Sequence, residues 1–181
     1  MNPKKNLLGY IIWLVFSIYI LLMIAGCIFS FADILGIEAT FLGSQLDSIF
    51  TDISPDAMKL GMIFSAEQVS VIAQKLKKYQ AENIVIDPVM VATSGSTLTN
   101  DETVEALKKQ LLPMATVITP NILEAQVLSG MEIRNEEDMI RAATYIYETY
   151  GCAVLCKGGH LQGHANDLLI INGERHWFYG K

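Results

Sequence analysis

Charge is missing from the start of this sequence. From Asn6 to Ala32 there is no Asp, Glu, Lys or Arg, and the run LLGYIIWLVFSIYILLMIAG is almost wholly apolar. Its apolar residues lie all round a helix rather than on one stripe, which excludes an ordinary half-buried surface helix. A membrane-spanning helix needs about 20 such residues, so a helix over 7–29 is long enough, and Lys4 and Lys5 before it would keep the N-terminus inside. Two other readings stay open. Ile24-Ala25-Gly26-Cys27 resembles a bacterial lipoprotein cleavage box with Cys27 as the lipidated residue, or the segment is a rearranged or fused N-terminus. The chain is accordingly divided into a hydrophobic segment, 1–32, and an α/β region, 33–181.

Clustered positive charge is also scarce. The net charge is −6, and the basic residues are scattered apart from short pairs such as Lys4-Lys5 and Lys77-Lys78. A phosphate backbone demands a basic stripe, so nucleic acid is excluded as a partner. Three cysteines, Cys27, Cys152 and Cys156, make no disulfide framework, and their use fits a reducing cytoplasm. Cys152 and Cys156 share one face of an apolar run with no third ligand near, which makes them small buried hydrophobes rather than a metal or redox pair.

What is present, from Asp33 onward, is alternation of short apolar runs with amphipathic helices. Helical spacing marks 42–50, ended by Asp52-Ile-Ser-Pro55. AMKLGMIF, 57–64, reads as a strand interrupted by Gly61. Ser65 opens a helix with Gln68 at the capping-box position and an apolar face of Val69, Ile72, Ala73, Leu76 and Tyr79. NIVIDPV, 83–89, is continuously apolar, as a strand buried on both faces should be. A loop VATSGSTLTN, a helix over 101–112, and a strand at 116–119 follow. A short helix then runs through Leu128 to a Gly130 stop, and another runs from Asn135 to Tyr150. The strand AVLC, 153–156, precedes a hairpin of 168–171 and 176–179 about Asn172-Gly173. The order predicts a parallel sheet with helices on both faces.

In such sheets ligands sit beyond the carboxyl ends of the strands. Gly61-Met62, Asp87-Pro88, Thr119-Pro120-Asn121 and Lys157-Gly158-Gly159-His160 all follow an apolar run. Asn121 and Glu124 are three apart on one helical turn and can face one point. Carboxylates beside phosphates imply a divalent cation, and Mg²⁺, which keeps several waters, needs only one or two of them. Lys157 would offset phosphate charge and the glycines would admit backbone amides. The pattern suggests phosphoryl transfer. Plainer readings stand beside it: Asp87 as a turn cap, Asn121 and Glu124 as a capping box, Lys157 as a surface lysine, Met62 as core. His160 and His164 are loop residues with no assigned catalysis.

MKLGMIFS, VIDPVMVATSGSTL, VITPNILEAQVLSGMEI and YGCAVLCKGGH closely resemble the bifunctional hydroxymethylpyrimidine kinase/phosphomethylpyrimidine kinase family of thiamine biosynthesis, in the ribokinase-like superfamily. The likeness runs from about Phe41 to the C-terminus with order and spacing intact. It implies an incomplete ribokinase-like three-layer sandwich with a mostly parallel central sheet. It also implies phosphorylation of 4-amino-5-hydroxymethyl-2-methylpyrimidine and then of its monophosphate, with MgATP as donor, in a family of cytoplasmic homodimers. By the same resemblance Gly61, Met62 and Val89 belong to the pyrimidine pocket. Asp87, Asn121 and Lys157 belong to the nucleotide and phosphate site, and Glu124 to the metal site.

The sequence departs from the family's pattern at both ends. Met23-Ile-Ala-Gly26 and Ala32-Asp33-Ile34 only faintly echo a glycine-rich opening, and the glutamine that reads the pyrimidine has no counterpart. The family's glycine-rich anion hole and hydroxyl-activating residue would follow Lys181. The chain is therefore expected not to turn over alone, since losing one oxyanion donor already costs about a hundredfold. A non-catalytic fragment, or a ligand-binding module tethered to the inner face of a membrane, are the rival readings.

Overall fold

The computed structural model describes residues 37–90, 99–159 and 166–180, all within one compact unit, Ile37–Lys181. The apolar run 7–29, with its proposed membrane helix, lies outside the described residues, as do Cys27, His160 and His164. Among the described residues no helix is long and apolar enough to cross a membrane. Helix α1 spans Ala39–Asp52, strand β1 Met58–Leu60, α2 Ala66–Lys78, β2 Ile84–Ile86, α3 Asp101–Gln110 and β3 Val117–Ile118. They are followed by α4, Ile122–Ser129, α5, Glu136–Tyr150, and strands β4, Ala153–Cys156, β5, Asp167–Ile171, and β6, Glu174–Phe178.

The six strands form one sheet in chain order. β1 to β4 are parallel neighbours, and β5 and β6 add antiparallel. The parallel core of four runs is therefore as the sequence predicts, but the strands are shorter. The run 57–64 pairs only through Leu60, and 83–89 only through Ile86. The cause is Pro88, which has no N–H to continue the ladder. The last bond goes from the Asp87 amide to the Leu60 carbonyl at 2.9 Å, after which Gly61–Phe64 leave the sheet. The helix expected over 101–112 stops at Gln110, and Pro113 lies instead in a 3₁₀ turn, Leu112–Met114.

One sheet face is fully covered. Ile84, Ile86, Ile118, Val154, Cys156, Leu168 and Ile170 are buried in one core with residues of α2 to α5, among them Val69, Leu76, Leu107, Leu128, Met139 and Ile146. On the opposite face Val85, Val117, Ala153, Leu155 and Leu169 are half-buried. Cys152 and Cys156 are free and buried. Burial pushes their thiols up, to about 11 and about 12, so both are unreactive packing residues.

Caps fix the helix ends. Ser65 accepts from the Gln68 amide at 3.2 Å, but Gln68 does not close the expected capping box. Its side chain accepts from the Phe64 amide at 3.0 Å and donates to the Ile37 carbonyl at 2.6 Å, tying α2 to the approach of α1. Gly130 and Gly151 take left-handed φ of 71° and 68° to end α4 and α5. In the hairpin Asn172 and Gly173 take φ of 52° and 78°, as a type I′ turn requires. α1 lies against α2 through Asp47, which accepts from Lys75, from Lys78 at 3.0 Å and from the Tyr79 hydroxyl at 2.7 Å. These donors hold its carboxyl well below the usual range.

Phe50 stacks on Tyr79 with ring centroids 4.8 Å apart. Such pairs are worth about 0.5–1.5 kcal/mol beyond area burial. Phe50→Leu is therefore expected to lower unfolding free energy by about that amount, read from denaturant melts, with α1 amides losing exchange protection first. Unchanged protection in α1 would show that the stack does not hold this helix.

Candidate functional site

Asp87 stands where β2 ends, and alternation along the strand puts it on the half-buried sheet face. Lys59 of β1 and Lys157, just past β4, reach the same carboxylate. Lys157 Nζ donates to Asp87 Oδ1 at 2.8 Å, and Lys59 Nζ lies 2.9 Å from Oδ2. Lys157 crosses the end of β3 to do so, and its amide is anchored to the Pro120 carbonyl at 2.8 Å. An isolated bridge pairs it with Asn121. Burial alone would push the Asp87 carboxyl up, but the ammonium groups of Lys157 and Lys59 outweigh it and hold the group below its ordinary value.

Glu124 lies behind this cluster and is only 2% exposed. It and Asn121 form a complete capping box: Asn121 N donates to Glu124 Oε2 at 2.8 Å, and Glu124 N donates to Asn121 Oδ1 at 3.0 Å. Burial raises its pKa, partly offset by the Asn121 amide and by Lys157, while Asp87 pushes it further up and a hydrogen bond from the Met90 backbone draws it down. Gly158 follows Lys157, and its amide donates to Asp167 Oδ1 at the start of β5 at 2.9 Å. A Cβ on Gly158 would stand 1.9 Å from the Asn166 carbonyl oxygen, so only glycine fits. Gly159 has open space.

Beside the cluster a small cleft is lined by Gly61, Ile63, Pro88, Val89, Met90 and Thr103, among others. Gly61 and Val89 therefore fall together. Met62 is 40% exposed and does not line the cleft, so it is not the core residue of the plainer reading. A Cβ on Gly61 would meet nothing within 4 Å. Sequence reasoning missed Lys59, although it is the one charged residue inside AMKLGMIF. Among the described residues no three His, Cys, Asp or Glu side chains gather as a metal cage.

The carboxyl edge of this parallel sheet thus gathers two lysines, a shared carboxylate and a capped helix N-terminus, at the place where open α/β sheets take their ligands. The chain belongs to the phosphomethylpyrimidine kinase family, whose model matches residues 27–181, further upstream than the motifs near Phe41 indicate. It is 40% identical over 139 residues to the hydroxymethylpyrimidine/phosphomethylpyrimidine kinase of Rhizobium meliloti, covering 76% of this chain and 52% of the relative. It is 43% identical over 144 residues to a thiamine biosynthesis bifunctional protein of Geobacter sulfurreducens, covering 79% of this chain and 29% of that one. The chain thus spans about half the length, or less, of these curated relatives.

Among solved structures, a phosphomethylpyrimidine kinase from Clostridium difficile superposes with a TM-score of 0.74 at 39% identity, covering 78% of this chain and 62% of that one. An ADP complex of Bacillus subtilis pyridoxal kinase gives 0.72 at 36% identity, covering 80% and 54%. The α/β fold is that of the ribokinase-like kinases.

A depressed Asp87 pKa means that this group's stabilisation is present above its ordinary value of 3.8 and is lost as pH falls through the lower folded value. Asp87→Asn should therefore flatten the acid limb of stability against pH, measured by thermal melts. An unchanged acid limb would show that the lysine contacts contribute nothing. Gly158→Ala should cost about 1–3 kcal/mol from the forced backbone shift.

Proposed function

We propose that this chain carries the phosphate-binding part of an ATP-dependent kinase acting on 4-amino-5-hydroxymethyl-2-methylpyrimidine and then on its monophosphate. The observation that carries this reading is Asp87 held between Lys59 and Lys157 at the carboxyl edge of the sheet, in a chain matched by the family model over 27–181. Lys157 is assigned to the nucleotide phosphates, with Asp87 fixing its ammonium group and Asn121 presenting the N-terminus of α4. Gly61 and Val89 are assigned to the pyrimidine, with Met62, exposed beside Gly61, as a third contact.

Asp87 and Glu124 are hard oxygen donors, as Mg²⁺ requires. Asp87 already carries two ammonium groups and Glu124 a backbone amide. The set therefore fits an ion held largely through its own waters and substrate phosphates, with Glu124 as the metal-side residue, rather than an all-protein cage. When bound, the ion would offset charge on the transferred phosphoryl group. Asp87 and Lys157 orient phosphate, and the glycines after Lys157 keep the approach open.

Two substitutions test the assignment by calorimetry. Lys157→Ala should weaken ADP binding in the presence of Mg²⁺ by about tenfold or more, the worth of one charge-assisted hydrogen bond. Gly61→Ala should leave the melting temperature unchanged, since its Cβ enters open space, yet weaken pyrimidine binding. Wild-type affinity in both variants would sink the kinase reading.

A further inference from the structure

We infer that Lys59 recognises the phosphate monoester of an already phosphorylated pyrimidine, a role that rests on the kinase reading above. Asp87 supplies one negative charge to two ammonium groups, at 2.8 Å and 2.9 Å, so the trio carries one uncompensated positive charge. Lys157 is the more confined cation: its side chain is 39% exposed and its backbone is pinned to Pro120. Lys59, at 62%, keeps most of its side chain in solvent and can leave Asp87 at small cost.

Position separates the two lysines. Lys157 follows β4, across the end of β3, whereas Lys59 lies on β1 two residues before Gly61, which lines the cleft with Val89. Val89 in turn is two residues past Asp87, and its amide donates to the Asp87 carbonyl at 2.8 Å. Lys59 thus lies on the strand that leads into the cleft, two residues before Gly61. A pyrimidine that already bears a phosphate brings about −1.5 to −2 charges to an edge where Asp87 and Glu124 also stand. With Lys157 engaged by the nucleotide, Lys59 is the ammonium group placed to offset that charge. An unphosphorylated pyrimidine makes no such demand.

Calorimetry on the full chain tests this with three probes: the hydroxymethylpyrimidine, its monophosphate, and ADP with Mg²⁺. Lys59→Met keeps the aliphatic stem and removes the charge. It should weaken monophosphate binding about tenfold to a hundredfold and leave the other two within about twofold. Lys59→Arg should restore most of the loss, because a guanidinium also donates to phosphate. Equal weakening of both pyrimidines, a loss confined to ADP, no change, or weakening of all three with a lowered melting temperature would each overturn the inference. A wild-type chain that binds neither pyrimidine would sink the kinase reading and this inference with it. A wild type that binds both, beside an unaltered Lys59→Met, sinks the inference alone.

Discussion

The site exists where it does because two prolines withdraw backbone donors at the same level of the sheet. Pro88 follows β2 and Pro120 follows β3, and neither has an N–H to donate to a neighbouring strand. The last bonds that β2 and β3 donate before these prolines are those from Asp87 to Leu60 and from Thr119 to Ile86, both 2.9 Å. Beyond them the chain must turn away, so the next side chains stand at the carboxyl edge. Lys157 arrives there from β4 through its bond to the Pro120 carbonyl. Burial of one sheet face in the core then fixes the height of all four strands together.

One carboxylate serving two lysines has a consequence for rigidity. Each ammonium group is partly solvated, so neither pair alone is worth much. Held on either side of Asp87, however, the lysines are kept apart and pre-aimed along the edge, and like-charge repulsion is relieved by the carboxylate between them. The same arrangement leaves net positive charge where a phosphate can use it. With Lys157 alone beside it, Asp87 would form a neutral pair, and the edge would hold no second ammonium group.

The parallel core was legible because its strands are continuous apolar runs, and Asp87, Asn121, Glu124 and Lys157 were legible because each follows such a run. Strand ends were not. AMKLGMIF carries on as apolar sequence past Leu60, but its pairing depends on where a partner 26 residues away meets a proline. Gln68 was misplaced for a related reason. Locally it fits a capping box, yet the Ile37 carbonyl offers its amide group a partner that local pattern cannot reveal. Lys59 was overlooked because a lone charge within a strand reads as a solvent-facing position, and its significance appears only once Asp87 is known to be adjacent.

Glu124 is a helix cap and the residue proposed for the metal side, and its surroundings make these compatible. An ionised carboxylate offers about four lone-pair sites. Here the Asn121 amide takes one at 2.8 Å. The capping bonds lock the side chain into one rotamer under Asp87 and Lys157, at 2% exposure. A free carboxylate at that depth would resist ionisation, as its raised pKa shows. A cation arriving with phosphate would favour the charged form, while the cap has already met the conformational cost of holding it in place. The cap therefore fixes the carboxylate in the position from which the metal role proposed for it would be exercised.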